Sequence, residues 1–287
     1  MNASSVPASS PLPTTLLLQI TDPHIREPGR LAYGRIDTAP YLAQAVASIT
    51  RLPQAPDAIV ITGDLVDFGR AAEYTHLRQL LAPLASHRIY LMPGNHDDRD
   101  ELRRSFPEHS YLGTAGFIQY SVPVGGLQLI ALDTVVPRAS EGRLCAERLA
   151  WLQAQLDAHR ERPVVIAMHH PPFATLIGHM DAIGLLEGAA ELELLVARHP
   201  NVERVICGHL HRSIQVRFGG AIAATAPSVA HQVCLDLSPT AASAWTLEPP
   251  GYALHALPAG GRLVSHLAAS GDYEGPYPFH ADGRLID

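Results

Sequence analysis

Ala58-Ile59-Val60-Ile61-Thr62-Gly63-Asp64-Leu65-Val66-Asp67 is the stretch that decides the fold class. Ala58–Thr62 is a short apolar run, rich in β-branched residues, and reads as a buried strand. Gly63 breaks it, and two carboxylates follow at once. The same sentence is repeated along the chain. Leu16–Thr21 runs into Asp22-Pro23-His24, and Ile89–Met92 into Gly94-Asn95-His96-Asp97. Val164–Met168 runs into His169-His170-Pro171-Pro172, and Val205–Cys207 into Gly208-His209-Leu210-His211. Leu127–Asp133 is a further run of this kind. In open α/β sheets, ligands bind beyond the carboxyl ends of the strands, so five loops bring Asp, Asn and His to one rim.

Between the runs lie helical faces. Tyr41, Leu42, Ala45, Val46 and Ile49 share one face behind a cap at Asp37/Thr38. Leu149, Leu152 and Leu156 repeat the spacing, as do Leu185, Leu186, Ala189 and Leu192. Strand–helix alternation predicts an α/β sheet. After Gly208 the helical signals stop. Ser213–Phe218, Ala221–Thr225, Gln232–Leu237, Tyr252–Leu257 and Arg262–Leu267 read as strands, expected to form a second sheet that closes the fold. Residues 1–15, rich in Ser, Pro and Ala, read as a loose tail. Residues 16–270 read as one domain. Residues 271–287 read as an extension that caps the site or meets another copy.

Composition narrows the chemistry. The chain has 287 residues, 47% hydrophobic and 17% charged, as a folded globular protein does. All 21 basic residues are Arg, beside 16 His. Without Lys there is no Walker-A phosphate loop, no Schiff-base chemistry and no pyridoxal-phosphate anchor. A formal net charge of −7, with no basic run, argues against a duplex nucleic-acid partner. The apolar run Leu16-Leu17-Leu18 is too short to span a membrane. Three Cys without a CxxC pair argue against a disulfide framework and fit a reducing cytoplasm.

Carboxylate, amide and neutral imidazole donors suit divalent zinc, manganese or iron. Asp-x-His and His-x-His let two ligands converge from one tight turn. Gly beside Asp64, Asn95 and His209 lets the backbone come close to an ion. Seven candidate ligands exceed what one tetrahedral ion needs, whereas two ions sharing a carboxylate would use them all.

Asp-x-His, Gly-Asp-x-x-Asp, Gly-Asn-His-Asp, His-His and Gly-His-x-His, in this order over about Leu16 to Leu237, resemble the calcineurin-like metallophosphoesterases. Tyr33-Gly34-Arg35-Ile36-Asp37, Met168–Pro172 and Val229-Ala230-His231-Gln232-Val233 look most like the bacterial class III cyclic-nucleotide phosphodiesterases and the related glycerophosphodiesterases. Pro23 stands where that family more often has Thr. The resemblance implies a four-layer αββα sandwich of two mixed sheets flanked by helices. It implies one metal held by Asp22, His24, Asp64 and His211, and another by Asp64, Asn95, His169 and His209. It further implies a phosphodiesterase in which a hydroxide held by the two divalent metals (manganese, iron, zinc or cobalt) attacks the phosphorus of a small diester such as cAMP.

His96 and His231 are then the catalytic, substrate-facing histidines, with Asp67 orienting His96. Asn95, His170 and His179 join them as expected substrate contacts. Arg26, Arg30 and Arg35 are further candidates for a phosphate or ribose. The resemblance also implies a homo-oligomer, a dimer or larger. A glycerophosphodiesterase is the alternative within the class. A nuclease, a protein phosphatase and a non-catalytic metal-binding scaffold are the readings outside it.

Overall fold

The structure, a computed structural model, describes residues 14–281 and 283–286. The expected N-terminal tail falls, over residues 1–13, outside the described residues. Its last two residues, Thr14 and Thr15, already belong to the first strand.

Eleven strands among the described residues make two main sheets: β1 (Thr14–Ile20), β2 (Ala58–Thr62), β3 (Ile89–Met92), β4 (Tyr120–Val124), β5 (Leu127–Leu132), β6 (Val164–Met168), β7 (Val202–Cys207), β8 (Ile214–Phe218), β9 (Ala221–Thr225), β10 (Gly251–Pro258) and β11 (Val264–Ala269). The first sheet has the order β11-β10-β1-β2-β3, and the second β8-β9-β7-β6-β5-β4. In the first sheet β1, β2 and β3 run parallel, while β10 pairs antiparallel with β1. In the second sheet β5, β6, β7 and β9 are parallel, with antiparallel strands at both edges. Strands β2, β5 and β6 are buried at every residue, as continuous apolar runs in a sheet covered on both faces must be.

The two sheets face each other across one core. Gln19, buried on β1, donates from Nε2 to the Cys207 carbonyl of β7 at 2.9 Å. The Tyr120 hydroxyl of β4 donates to the Leu91 carbonyl of β3 at 2.9 Å. Helices α1 (Ala39–Thr50), α2 (Ala71–Leu81) and α3 (Arg99–Ser105) pack in sequence beside the first sheet. Helix α4 (Ala146–Ala158) packs on β5, the single-turn α5 (Gly178–Asp181) follows, and α6 (Ala189–Ala197) packs on β8. This is the α/β sandwich of two mixed sheets that the motif order implies.

Three expectations change. The C-terminal strands do not form a sheet of their own. β8 and β9 extend the second sheet, whereas β10 and β11 cross back to the first beside β1. Strand order along the chain carries no record of which sheet edge a strand joins. Leu185 and Leu186 lie in a short strand, Leu185–Glu187, and the helix starts only after Gly188, which sits at φ 86°. Gln232–Leu237 keeps only Gln232–Val233 as strand. At the start of the C-terminal segment Asp272 pairs with Arg51 of α1 at 2.8 Å.

Candidate metal centre

The rim loops are built under backbone strain. Asp22 (φ 51°), His24 (45°), Asp64 (47°), His209 (69°) and His211 (51°) all have left-handed backbones without being glycine. Such conformations cost on the order of 1–3 kcal/mol each and persist only where the surroundings impose them. Here the loops hold one another. The Asp22 amide donates to the Gly63 carbonyl at 3.2 Å, and the His24 amide to the Asp64 carbonyl at 3.0 Å. The Gly208 amide donates to the His169 carbonyl at 3.0 Å. Thr38, at the start of α1, gives its hydroxyl to the His24 carbonyl at 2.8 Å, while Asp37 takes the Ala39 amide in its place. A Cβ at Gly94 would collide with the amide and carboxylate of Asp64, so this position must be glycine for the two loops to meet.

All seven expected ligands come together, and their hydrogen bonds decide which nitrogens are free. His211 Nδ1 donates to the His231 carbonyl at 2.9 Å, and His169 Nδ1 to the Thr62 carbonyl at 2.8 Å. His24 Nδ1 donates to Asp67 Oδ1 at 3.3 Å. Each ring, when neutral, therefore keeps a lone pair on Nε2; burial opposes charge on His169, but Asp64 outweighs it and raises that ring to about 9, so an ion bound at its Nε2 would displace a proton. These lone pairs converge on acceptors. His24 Nε2 lies 3.2 Å from His211 Nε2 and 3.5 Å from Asp64 Oδ2. His169 Nε2 lies 3.0 Å from Asn95 Oδ1 and 3.4 Å from the same Asp64 Oδ2. Asp22 Oδ1 is 3.4 Å from His211 Nε2. His209 Nε2 is buried with no hydrogen-bond partner. Acceptors aimed at acceptors, with Asp64 Oδ2 between two groups of them, fit a pair of cations sharing one carboxylate.

The electrostatics agree. Burial opposes ionisation of Asp64, but His169 and His96 outweigh it and hold the carboxyl well below the usual range. Burial, then His169, pushes His209 down to about 3, which keeps it neutral as a ligand must be. Asp97 accepts the Gly94 amide at 2.8 Å, the Leu65 amide at 3.0 Å and the Tyr74 hydroxyl at 2.9 Å, tying the Asn95 loop to the Asp64 loop. Its position in Gly-Asn-His-Asp was the available signal for that role.

Beside the cluster is a cavity of about 370 Å³. His96, His179 and His231 all line it, with Asn95. One expectation is corrected. His170 is fully buried and does not reach the cavity; its Nδ1 meets the Thr134 hydroxyl at 2.8 Å and its Nε2 the Ser140 carbonyl at 3.1 Å, so no nitrogen is left for a substrate. Asp67 stands beside both His24 and His96: its Oδ1 lies 3.3 Å from His24 Nδ1 and 3.6 Å from His96 Nδ1, and His96 Nδ1 donates to its main-chain carbonyl at 2.8 Å. Arg26 is held by Glu73 and Asp67 and so is not free for a substrate, Arg30 lines no cavity described, and Arg35 lines a neighbouring cleft. The sequence reading assigned no role to Tyr33, Met180, Ile183, Val233 and Trp245 in the cavity wall. They belong to no metal-binding pattern, and Trp245 reaches the cavity only because its strand pairs with Gln232–Val233.

The family model of calcineurin-like phosphoesterases matches residues 15–213. The chain belongs to this family. A probable glycerophosphodiester phosphodiesterase, GpdQ, of Arcobacter nitrofigilis is 34% identical over 273 residues, 95% of this chain and 100% of the relative. A probable cyclic nucleotide phosphodiesterase of Rhodopseudomonas palustris is 37% identical over 262 residues, 90% of this chain and 93% of the relative. The fold is shared with a purple acid phosphatase from yellow lupin (Lupinus luteus), at a TM-score of 0.65 and 15% identity, over 96% of this chain and 53% of that one. Family membership implies a dinuclear divalent-metal site, in agreement with the Asp/His clusters around Asp64. No helix among the described residues is long and apolar enough to cross a membrane.

Proposed function

We propose that this chain is a dinuclear metal-dependent phosphodiesterase of small diesters, with 3′,5′-cyclic nucleotides such as cAMP among its substrates. The carrying observation is the double convergence of acceptors on Asp64 Oδ2, from His24 on one side and His169 on the other. One ion would be held by Asp22, His24, Asp64 and His211, the other by Asp64, Asn95, His169 and His209. Manganese, iron, zinc and cobalt all suit these donors. When bound, such a pair supplies a nucleophile at neutral pH and neutralises charge on the phosphoryl oxygens.

The chain's own groups do the rest. His96 has its Nδ1 committed to the Asp67 carbonyl, which leaves Nε2 for a substrate oxygen. Burial disfavours its charged form, but the carboxylates of Asp64 and Asp67 outweigh burial and raise it. Its role is to donate a proton to the leaving oxygen. His231 stands edge-on to His211, with ring centroids 4.6 Å apart, and lines the cavity as a substrate contact. His179, whose Nδ1 lacks a partner, faces the site from the loop at α5.

The glycerophosphodiester reading has its own support in the A. nitrofigilis relative. A panel of cAMP, cGMP, 2′,3′-cyclic AMP, glycerophosphoethanolamine and the monoester AMP, assayed with manganese, tests the proposal. Turnover of the diesters with little release of phosphate from AMP is expected. Turnover of AMP alone overturns it, and metal binding without any turnover favours a binding scaffold. The exposed Tyr277, Phe279 and Leu285 support a self-associating chain, for which light scattering should give a dimer mass or larger. The free thiols of Cys145, Cys207 and Cys234 suit a reducing cytoplasm.

A further inference from the structure

The cavity beside the cluster has a mixed lining. Part of it is the ligand histidines and Asp64. The rest joins the apolar Tyr33, Met180, Ile183, Val233 and Trp245 to a few polar groups, Ser140, His179 and Ser243 among them. Among the described residues no arginine lines it. Where it lay against the five apolar residues, an aliphatic arm bearing hydroxyls or an ammonium would shed water without gaining hydrogen bonds from them. A flat ring would bury its faces and stack.

The wall is held in place. Trp245 pairs with Val233 in a two-residue ladder that starts just after His231. Arg212 clamps the ladder, donating to the Val233 carbonyl at 2.7 Å and pairing with Glu248 at 2.8 Å. Tyr33, itself at φ 51°, packs on Trp245 with centroids 5.7 Å apart, and His231 meets both rings edge-on at 5.2 and 5.4 Å. An aromatic surface fixed in this way binds a ring with little ordering cost.

We propose that Trp245 is a specificity-determining residue that selects diesters carrying a planar ring, a nucleobase or an aryl group, on one arm. This rests on the phosphodiesterase reading above and adds the identity of the arm.

Two measurements test it. The first is the ratio of kcat/KM for cAMP over glycerophosphoethanolamine. It should fall about tenfold in Trp245→Ala, the scale of base–aromatic stacking, and recover in Trp245→Phe. An unchanged ratio in Trp245→Ala overturns the proposal, whatever happens to the absolute rates. The second leaves Trp245 in place. In a Trp151→Phe background, AMP should quench the remaining tryptophan fluorescence at concentrations where glycerol 3-phosphate does not. Equal quenching by both, or quenching by neither, overturns it. A wild-type chain that hydrolyses no diester refutes the phosphodiesterase reading instead, and the fluorescence titration then decides the ring site by itself.

Discussion

His24 Nε2 and His211 Nε2 stand 3.2 Å apart, each with its other ring nitrogen already donating, to Asp67 and to the His231 carbonyl. Two imidazole lone pairs at that distance repel unless a cation lies against both. The two hydrogen bonds behind the rings are therefore as much a part of the site as the rings.

Asp67→Asn tests that statement. The amide keeps the shape but weakens the charge-assisted bond that fixes the His24 ring. Manganese affinity, read by calorimetry, should fall about 10- to 100-fold, with much of the activity recovered at saturating metal. Unchanged affinity would mean that His24 is oriented by something else.

His96→Gln separates proton donation from metal binding. Loss of a positioned acid should lower kcat on cAMP by about 10²–10⁴. The loss should be smaller on bis(p-nitrophenyl) phosphate, whose leaving group departs without a proton. Metal content, by elemental analysis, should stay at two ions per chain. Equal losses on both substrates would remove His96 from the leaving-group side.

His255 predicts a pH effect on stability away from the site. It is buried between the Ser265 hydroxyl at 2.7 Å and Gln19 Oε1 at 3.2 Å. Burial, then the Arg204 charge, pushes it down to about 3. The unfolded chain binds this proton near the ordinary value of 6.5, so between 6.5 and about 3 the unfolded state carries more protons. The contribution to stability is complete above pH 6.5 and falls by at most about 1.4 kcal/mol per pH unit as acid is added. Urea unfolding at pH 7.0 and 5.0 should show a smaller drop in His255→Gln than in the natural chain. An equal drop would contradict it.

Much of this molecule was legible in its sequence, for a physical reason. Strands buried on both faces are unbroken apolar runs, so Ala58–Thr62, Ile89–Met92 and Val164–Met168 stand in the structure with the limits read from the sequence. Candidate donors follow those three strands directly, at Asp64, Asn95 and His169, and β1 and β7 lead in the same way to Asp22, His24, His209 and His211. Strand β4 was missed because its pattern is interrupted by Pro123 and partly exposed. Helix α2 was missed because one of its buried residues is Glu73, whose carboxylate holds Arg26 and the Phe68 and Arg70 amides instead of showing an apolar stripe. Trp245 was not legible as a site residue. Nothing local marks it, and only the pairing with Gln232–Val233 carries it to His231. The left-handed backbones at five ligand positions were equally hidden, since Asp and His do not announce positive φ as glycine does.

The most direct test of the central claim compares kcat/KM for bis(p-nitrophenyl) phosphate and p-nitrophenyl phosphate, with manganese and again after chelation. The account predicts faster hydrolysis of the diester, loss of both activities on chelation, and recovery on adding manganese back. A monoester preference, or diester hydrolysis that survives both chelation and Asp64→Ala, would contradict it.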